Sequence, residues 1–134
     1  MDSTFYKEEV LLSLHPKWWD LIKKGEKTIE IRKTKPQNMF LPFRVIVYLT
    51  GGIGVVGMFE CDSLVSTIRP EYLVDGSCLT KEELEIYADG KKLCGWRVKP
   101  GSVVEYETPI PLEEATGLTR PPQSWQYLNR KNET

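Results

Sequence analysis

The stretch VLLSLHPKWWDLIKKGEKTIEIR, residues 10–32, decides how this chain folds. It opens with Val10-Leu11-Leu12-Ser13-Leu14, a short apolar run that reads as a buried strand. His15-Pro16 follows, with proline at the first helical position, where a missing N–H is no loss, and His15 as the N-cap. Trp18, Leu21 and Ile22 then recur at helical spacing and form the expected buried stripe. Lys23 and Lys24 occupy the last turn, where the carbonyl end of a helix favours positive charge, and Gly25 supplies a left-handed stop. From Thr28 to Arg32 polar and apolar residues alternate, which is the period of a half-buried strand.

Beyond this unit the elements keep alternating. Residues 33–42, with two prolines, Gln37 and Asn38, read as a loop. Arg44–Leu49 and Ile53–Leu64 are strands joined by the turn Thr50-Gly51-Gly52, hence a hairpin. Gly57 inside the second strand marks a bulge or a close approach of another segment. Pro70–Leu73 is a helical turn, and Thr80-Lys81-Glu82-Glu83 is a capping box that opens a helix ending at Asp89-Gly90. Leu93–Val98 and Ser102–Thr108 are two further strands around Pro100-Gly101. Pro109-Ile110-Pro111 and Pro121-Pro122 limit regular structure after them. The expected fold is α+β: a small β-barrel or strongly curled sheet of five to six strands, mostly antiparallel, with two or three flanking helices. The polar, aperiodic ends place the ordered core at about residues 9–128.

A chain of 134 residues fits one domain, 1–134. With 40% hydrophobic and 28% charged residues it can bury a core and stay in solution. No apolar run approaches the roughly 20 residues of a membrane span, and the first residues are acidic where a signal peptide would be basic and then apolar. A cytoplasmic protein with no membrane partner is expected. Cys61, Cys78 and Cys94 are odd in number and far apart, which suits reduced thiols. With no Cys-x-x-Cys and His15 as the only histidine, neither a metal site nor a cofactor is expected, and any His-centred triad would rest on His15 alone. The net charge of −1 conceals a basic segment, Lys17 to Lys35, with seven basic and three acidic residues. Such a patch draws anions to one place, although a solvated helix end would look the same.

Alternation along Thr28–Arg32 sends Ile29 and Ile31 to one face and Thr28, Glu30 and Arg32 to the other. Lys27 stands at the strand entrance. A cation, a hydroxyl, a carboxylate and a guanidinium thus share a small area. Arginine suits bidentate contacts, and lysine suits phosphate binding or proton transfer. As a base, lysine would need its pKa lowered from about 10 toward 7–8; Arg32 pushes that way and Glu30 opposes it. The competing reading is a surface strand whose Glu30–Arg32 pair is worth about 0–1 kcal/mol. Trp19, about 100° from the helical stripe, borders the cleft, where it can stack on a base. Trp125 and Tyr127 read as barrel plugs.

Leu12-Ser13-Leu14-His15-Pro16-Lys17, the helix, and Gly25-Glu26-Lys27-Thr28-Ile29-Glu30-Ile31-Arg32-Lys33 closely resemble the opening of ASCH domains, members of the PUA-like superfamily of small β-barrels. Val55-Val56-Gly57-Met58-Phe59-Glu60, the Thr80–Ala88 helix, Pro109-Ile110-Pro111-Leu112-Glu113-Glu114 and the tail Arg120-Pro121-Pro122-Gln123-Ser124-Trp125-Gln126-Tyr127-Leu128 extend the resemblance in the same order. It implies a closed or nearly closed barrel with a cleft beside the Lys27–Arg32 strand, and binding of RNA or action on nucleosides. Some small bacterial members remove the acetyl group of N4-acetylcytidine with a lysine, a threonine and a glutamate; others are credited with ribonuclease activity. On that pattern Lys27 matches the lysine, while the threonine position holds Glu30, leaving Thr28 the nearest hydroxyl. Glu82 or Glu83 lies near the glutamate position, and Glu83 is already explained by helix capping.

The expectation is an RNA- or nucleoside-binding ASCH domain, with Lys27, Thr28, Glu30, Arg32 and Trp19 touching the ligand. If the chain is an enzyme, Lys27 and Glu30 are its catalytic candidates, in an amidohydrolase acting on a modified nucleoside or in a ribonuclease. A protein-interaction or regulatory module is the third alternative. RNA or a nucleoside is the expected partner, and DNA is a second candidate.

Overall fold

In the computed structural model, which describes residues 9–128, every residue of the first strand, β1 (Glu9–Leu14), is buried. The polar ends expected outside the core lie outside the described residues. β1 is buried throughout because both of its faces are covered, and it has a strand on each edge. It runs parallel to β3 (Phe43–Leu49), with Val10 opposite Val45 and Leu12 opposite Val47, and antiparallel to β7 (Trp125–Leu128). A strand covered on both faces reads as a continuous apolar run. Val10, Leu12 and Leu14 enter the main core with Phe43, Phe59 and Trp96. Leu11 points the other way, joining Ile46 and Tyr48 beneath α3 (Leu112–Thr116).

Parallel pairing of β1 with β3 needs a crossover, which α1 (Pro16–Lys23) and β2 (Ile29–Arg32) supply. β3 and β4 (Gly54–Thr67) form the expected hairpin. The first half of β4 pairs with β6 (Val104–Ile110), and its second half, past a bulge between Cys61 and Ser63, with β5 (Leu93–Val98). Gly57 sits where β6 approaches: a Cβ there would collide with the Val104 carbonyl and stand 2.9 Å from the Trp19 ring.

One sheet results, in the order β2-β5-β4-β3-β1-β7 with β6 attached to β4. The fold class is α+β, as expected, with seven strands among the described residues rather than five or six. The additional strand is β7, which begins just beyond Pro121-Pro122 and pairs with β1. No ladder joins β2 to β7. Side chains bridge that gap instead. Arg32 of β2 reaches Ser13 and Ser124, Trp125 Nε1 donates to Thr34 Oγ1 at 2.8 Å, and Trp96 Nε1 donates to the Thr34 carbonyl at 3.2 Å.

The helices differ from expectation in one respect that matters for the site. α1 begins as read: His15 Nδ1 accepts from the Lys17 N–H, and Pro16 takes the first helical position. Its core-facing tryptophan, however, is Trp19, packed with Ile22, while Trp18 is half-buried. Both tryptophans satisfy helical spacing with Ile22, and docking on the sheet selects between them. α2 (Lys81–Ala88) carries the expected capping box, Thr80 with Glu83, and ends at a left-handed Asp89. A small separate cluster, including Leu73, Leu84, Leu93 and Ile31, fixes α2 and the turn Pro70–Leu73 against β2 and β5.

Candidate functional site

Lys27 is placed by the way α1 stops. Gly25 adopts φ +80°, and the amides of Glu26 and Lys27 both return to the Leu21 carbonyl. The chain then enters β2, held by the amides of Thr28 and Ile29 on the Gly76 carbonyl. This turns the Lys27 side chain inward, where only 2% of the residue is exposed. Its ammonium donates to the Ser77 carbonyl at 2.6 Å, lies 4.7 Å from the centre of the Trp18 ring, and stands 3.6 Å from Glu30 Oε1. Burial lowers the Lys27 pKa below the usual lysine value; Glu30 and Cys78 oppose the shift, and Arg32 adds to it. Desolvation therefore decides the balance between Glu30 and Arg32 that the strand pattern left open.

Glu30 is 4% exposed. Oε2 accepts from Arg32 Nε at 2.8 Å and forms an ion pair with Nη2 at 2.7 Å, whereas Oε1 is buried and accepts no hydrogen bond. Arg32 also gives Nη1 to the Ser124 carbonyl and Oγ, and Nη2 to the Ser13 carbonyl. Each of its three guanidinium nitrogens thus donates to a protein acceptor. Arg32 was expected to grip a ligand; it is occupied instead with orienting Glu30 and closing the sheet.

Lys27, Glu30, Ile31 and Arg32 line a cavity of about 330 Å3. His15 and Trp18 from the α1 side and Leu79, Glu83 and Tyr87 from the α2 side complete it. Two cations, Lys27 and Arg32, face two carboxylates, Glu30 and Glu83, so the interior is balanced in charge. Glu83 Oε1 is engaged by the Thr80 amide in the capping box. Burial, with Glu30 adding and Arg32 opposing, raises the Tyr87 pKa, so its phenol keeps its proton and remains a donor at neutral pH.

Two expected site residues lie elsewhere. Trp19 is 2% exposed in the core, and Trp18 takes the place at the cavity wall that was expected of it. Thr28 is exposed and precedes β2, so it does not share the face of Glu30 and Arg32; it borders an adjacent concavity with Arg97 and Lys99. The sequence reading missed Tyr87 and the Ser77 carbonyl. Tyr87 follows Glu83 by one helical turn, so a face had been marked by the capping box. Ser77 has no such mark, because it acts through its backbone. Cys61, Cys78 and Cys94 are all free.

The ASCH domain model matches residues 12–48, a segment that runs from the second half of β1 through α1 and β2 into β3. Solved structures agree over nearly the whole length. The ASCH protein of Zymomonas mobilis superposes with a TM-score of 0.74 at 24% identity, covering 92% of this chain and 89% of that one. Over residues 12–48 the chain is similar to the ASCH domain, and it shares the fold of the Zymomonas ASCH protein. Two point mutants of the same Zymomonas protein match equally well, both with a TM-score of 0.75 and 23% identity over 93% of this chain, covering 91% and 93% of theirs. No curated protein matches. In this chain the segment matched by the family model supplies Lys27, Glu30 and Arg32. No helix among the described residues is long and apolar enough to cross a membrane.

Proposed function

We propose that this ASCH-like domain recognises a nucleobase, as a nucleoside or within RNA, in the Lys27–Glu30 cavity. The observation that carries this reading is the buried Glu30 Oε1, which has no hydrogen-bond partner and lies 3.6 Å from the Lys27 ammonium. A base edge sets an acceptor beside an N–H donor, the complement of a lysine next to a carboxylate oxygen. Leaving a buried acceptor unmet costs about 1–3 kcal/mol, so a ligand that supplies the N–H is strongly preferred over one that does not. Trp18 and Tyr87 provide aromatic walls for stacking. The balanced interior suits a neutral base better than a phosphate, and about 330 Å3 lies within the range of small-molecule sites.

Calorimetric titration with the four ribonucleosides and N4-acetylcytidine tests this directly. At least one should bind, and Lys27→Met and Glu30→Gln should each weaken it about tenfold or more, as expected for a charged hydrogen bond worth roughly 1.5–3 kcal/mol. The reading is refuted if none binds, or if both variants bind like the parent.

One observation favours a second, catalytic reading. Burial brings Lys27 closer to the neutral amine, the form that takes a proton from water. In an N-acylated base, water would add its oxygen to the acyl carbon while Lys27 passes the proton to the departing amine, and Glu30 would hold that amine. The products are a carboxylic acid and the free amino base. Cytidine released from N4-acetylcytidine, and lost with Lys27→Met, supports this chemistry. Absence of release beside an active deacetylase control excludes that substrate.

A further inference from the structure

A second concavity, of about 230 Å3, lies between α1, the β3–β4 hairpin and β6, and shares no residue with the Lys27 cavity. Its buried wall includes Trp19, Leu49 and Val56, and its exposed mouth includes Lys23, Glu105 and Glu107. Trp19 brings an unmet donor to it. The residue is 2% exposed, and its indole Nε1 is buried without a hydrogen-bond partner. The edge of the indole that carries Nε1 is turned toward β6. Cζ2, which shares Cε2 as a neighbour with Nε1, would stand 2.9 Å from a Cβ on Gly57, and Gly57 lies opposite Glu105 in the β4–β6 pairing. Residues 106–109 of β6 have no register partner on β4, so backbone acceptors accompany this donor.

The charge at the mouth is negative. Lys23 Nζ lies 2.7 Å from Glu105 Oε2, and the two cancel. Glu107 is exposed and has no ion-pair partner among the described residues. An indole N–H can only donate, so the inner end of an occupant must carry an acceptor. A carbonyl suits that place better than a carboxylate, which Glu105 and Glu107 would repel. The volume falls below the roughly 300–1,000 Å3 of most small-molecule sites, room for a short chain and not for a nucleotide. We infer that this concavity binds a monoacylated alkyl diamine. The acyl carbonyl accepts from Trp19 Nε1, the amide N–H donates to a carbonyl of residues 106–109, the alkyl chain packs on Leu49 and Val56, and the protonated amine pairs with Glu107. The inference is independent of base binding at Lys27.

The test follows the indole N–H resonances of the isotope-labelled full chain while N-acetylputrescine, or its longer homologue N-acetylcadaverine, is added at low salt. The Trp19 resonance is assigned by its loss in Trp19→Phe, which keeps an aromatic ring in the core. It should move downfield and saturate, while that of Trp18, at the Lys27 cavity, stays in place. Hexylamine, which lacks the carbonyl, should bind at least about fivefold more weakly, because the buried donor is left unmet. N-Butylacetamide, which lacks the charge, should bind about two- to fivefold more weakly, and Glu107→Gln should weaken N-acetylputrescine by the same factor, as expected for an exposed ion pair. A Trp19 resonance unmoved by either acylated diamine would show a site that holds water only. Hexylamine binding as tightly as they do, undiminished binding by Glu107→Gln, or movement of the Trp18 resonance in place of Trp19 would each overturn the inference as well. None of these outcomes bears on base binding.

Discussion

Replacing Arg32 by methionine keeps the length of the aliphatic stem and removes a guanidinium with five protein contacts. Two of those contacts go to Glu30 Oε2, two to Ser124 and one to the Ser13 carbonyl. The pair is shielded, with side-chain exposures of 11% for Arg32 and 5% for Glu30, so solvent screens it little. Removing one partner of a buried ion pair costs about 3–5 kcal/mol, because the other charge stays behind without compensation. Lys27 softens that loss only in part, since it stands 3.6 Å from the other oxygen. The same substitution removes the direct link between β2 and the segment before β7, where the sheet has no ladder. Urea unfolding of Arg32→Met should therefore show a lower midpoint equivalent to about 3–5 kcal/mol, a large share of the 5–15 kcal/mol typical of a domain. In a Glu30→Gln background the same change should cost clearly less, because the stranded charge is gone. A loss below about 1 kcal/mol in the parent background would refute the reasoning and return Arg32 to the role of an ordinary surface charge.

The two adjacent tryptophans should separate stability from binding. Trp19→Ala empties a core position and should destabilise by about 3–5 kcal/mol in urea unfolding, while Trp18→Ala should cost less stability and weaken nucleoside binding in calorimetry; the reverse pattern would place the wrong tryptophan at the cavity. The alkaline limb of stability should depend on Cys61, whose thiol burial pushes up to about 11 from 9.0. Between those values the unfolded chain loses the proton first, so stability falls as pH rises from about 9 to 11, by about 2–3 kcal/mol at 1.36 kcal/mol per unit. Denaturant midpoints across that range should decline less steeply in Cys61→Ala than in the parent; equal slopes would show that Cys61 does not set the limb.

The local elements were legible because their causes are local. Pro16 and Gly25 bound α1 by what their own backbones permit, Thr80 and Glu83 cap α2 within one turn, and the glycines after Leu49 turn the β3–β4 hairpin. The placement of Lys27 at the start of β2 was also readable, since helix stop and strand period are both written in residues 25–32. Its environment was not. Period 3.6 states that a helix has a buried face but leaves its phase to docking, which is why Trp18 and Trp19 exchanged roles. Alternation in β2 put Glu30 and Arg32 on one face, yet whether that face met solvent or protein depended on what covers it: α2, the Ser77 loop and the segment before β7.

The sequence determined that Gly25–Arg32 is a helix stop leading into a strand, because turn chemistry and strand period act over a few bonds; its reading as a site came from the family resemblance. Tertiary structure alone decided that Arg32 is engaged by carbonyls 19 and 92 residues away in the chain, and that Lys27 is desolvated against the Ser77 carbonyl, 50 residues away. Hydrogen bonding and burial of a side chain are properties of the atoms around it in space. The sequence names the groups that can ionise, and only the folded chain sets which of them remain open to a ligand.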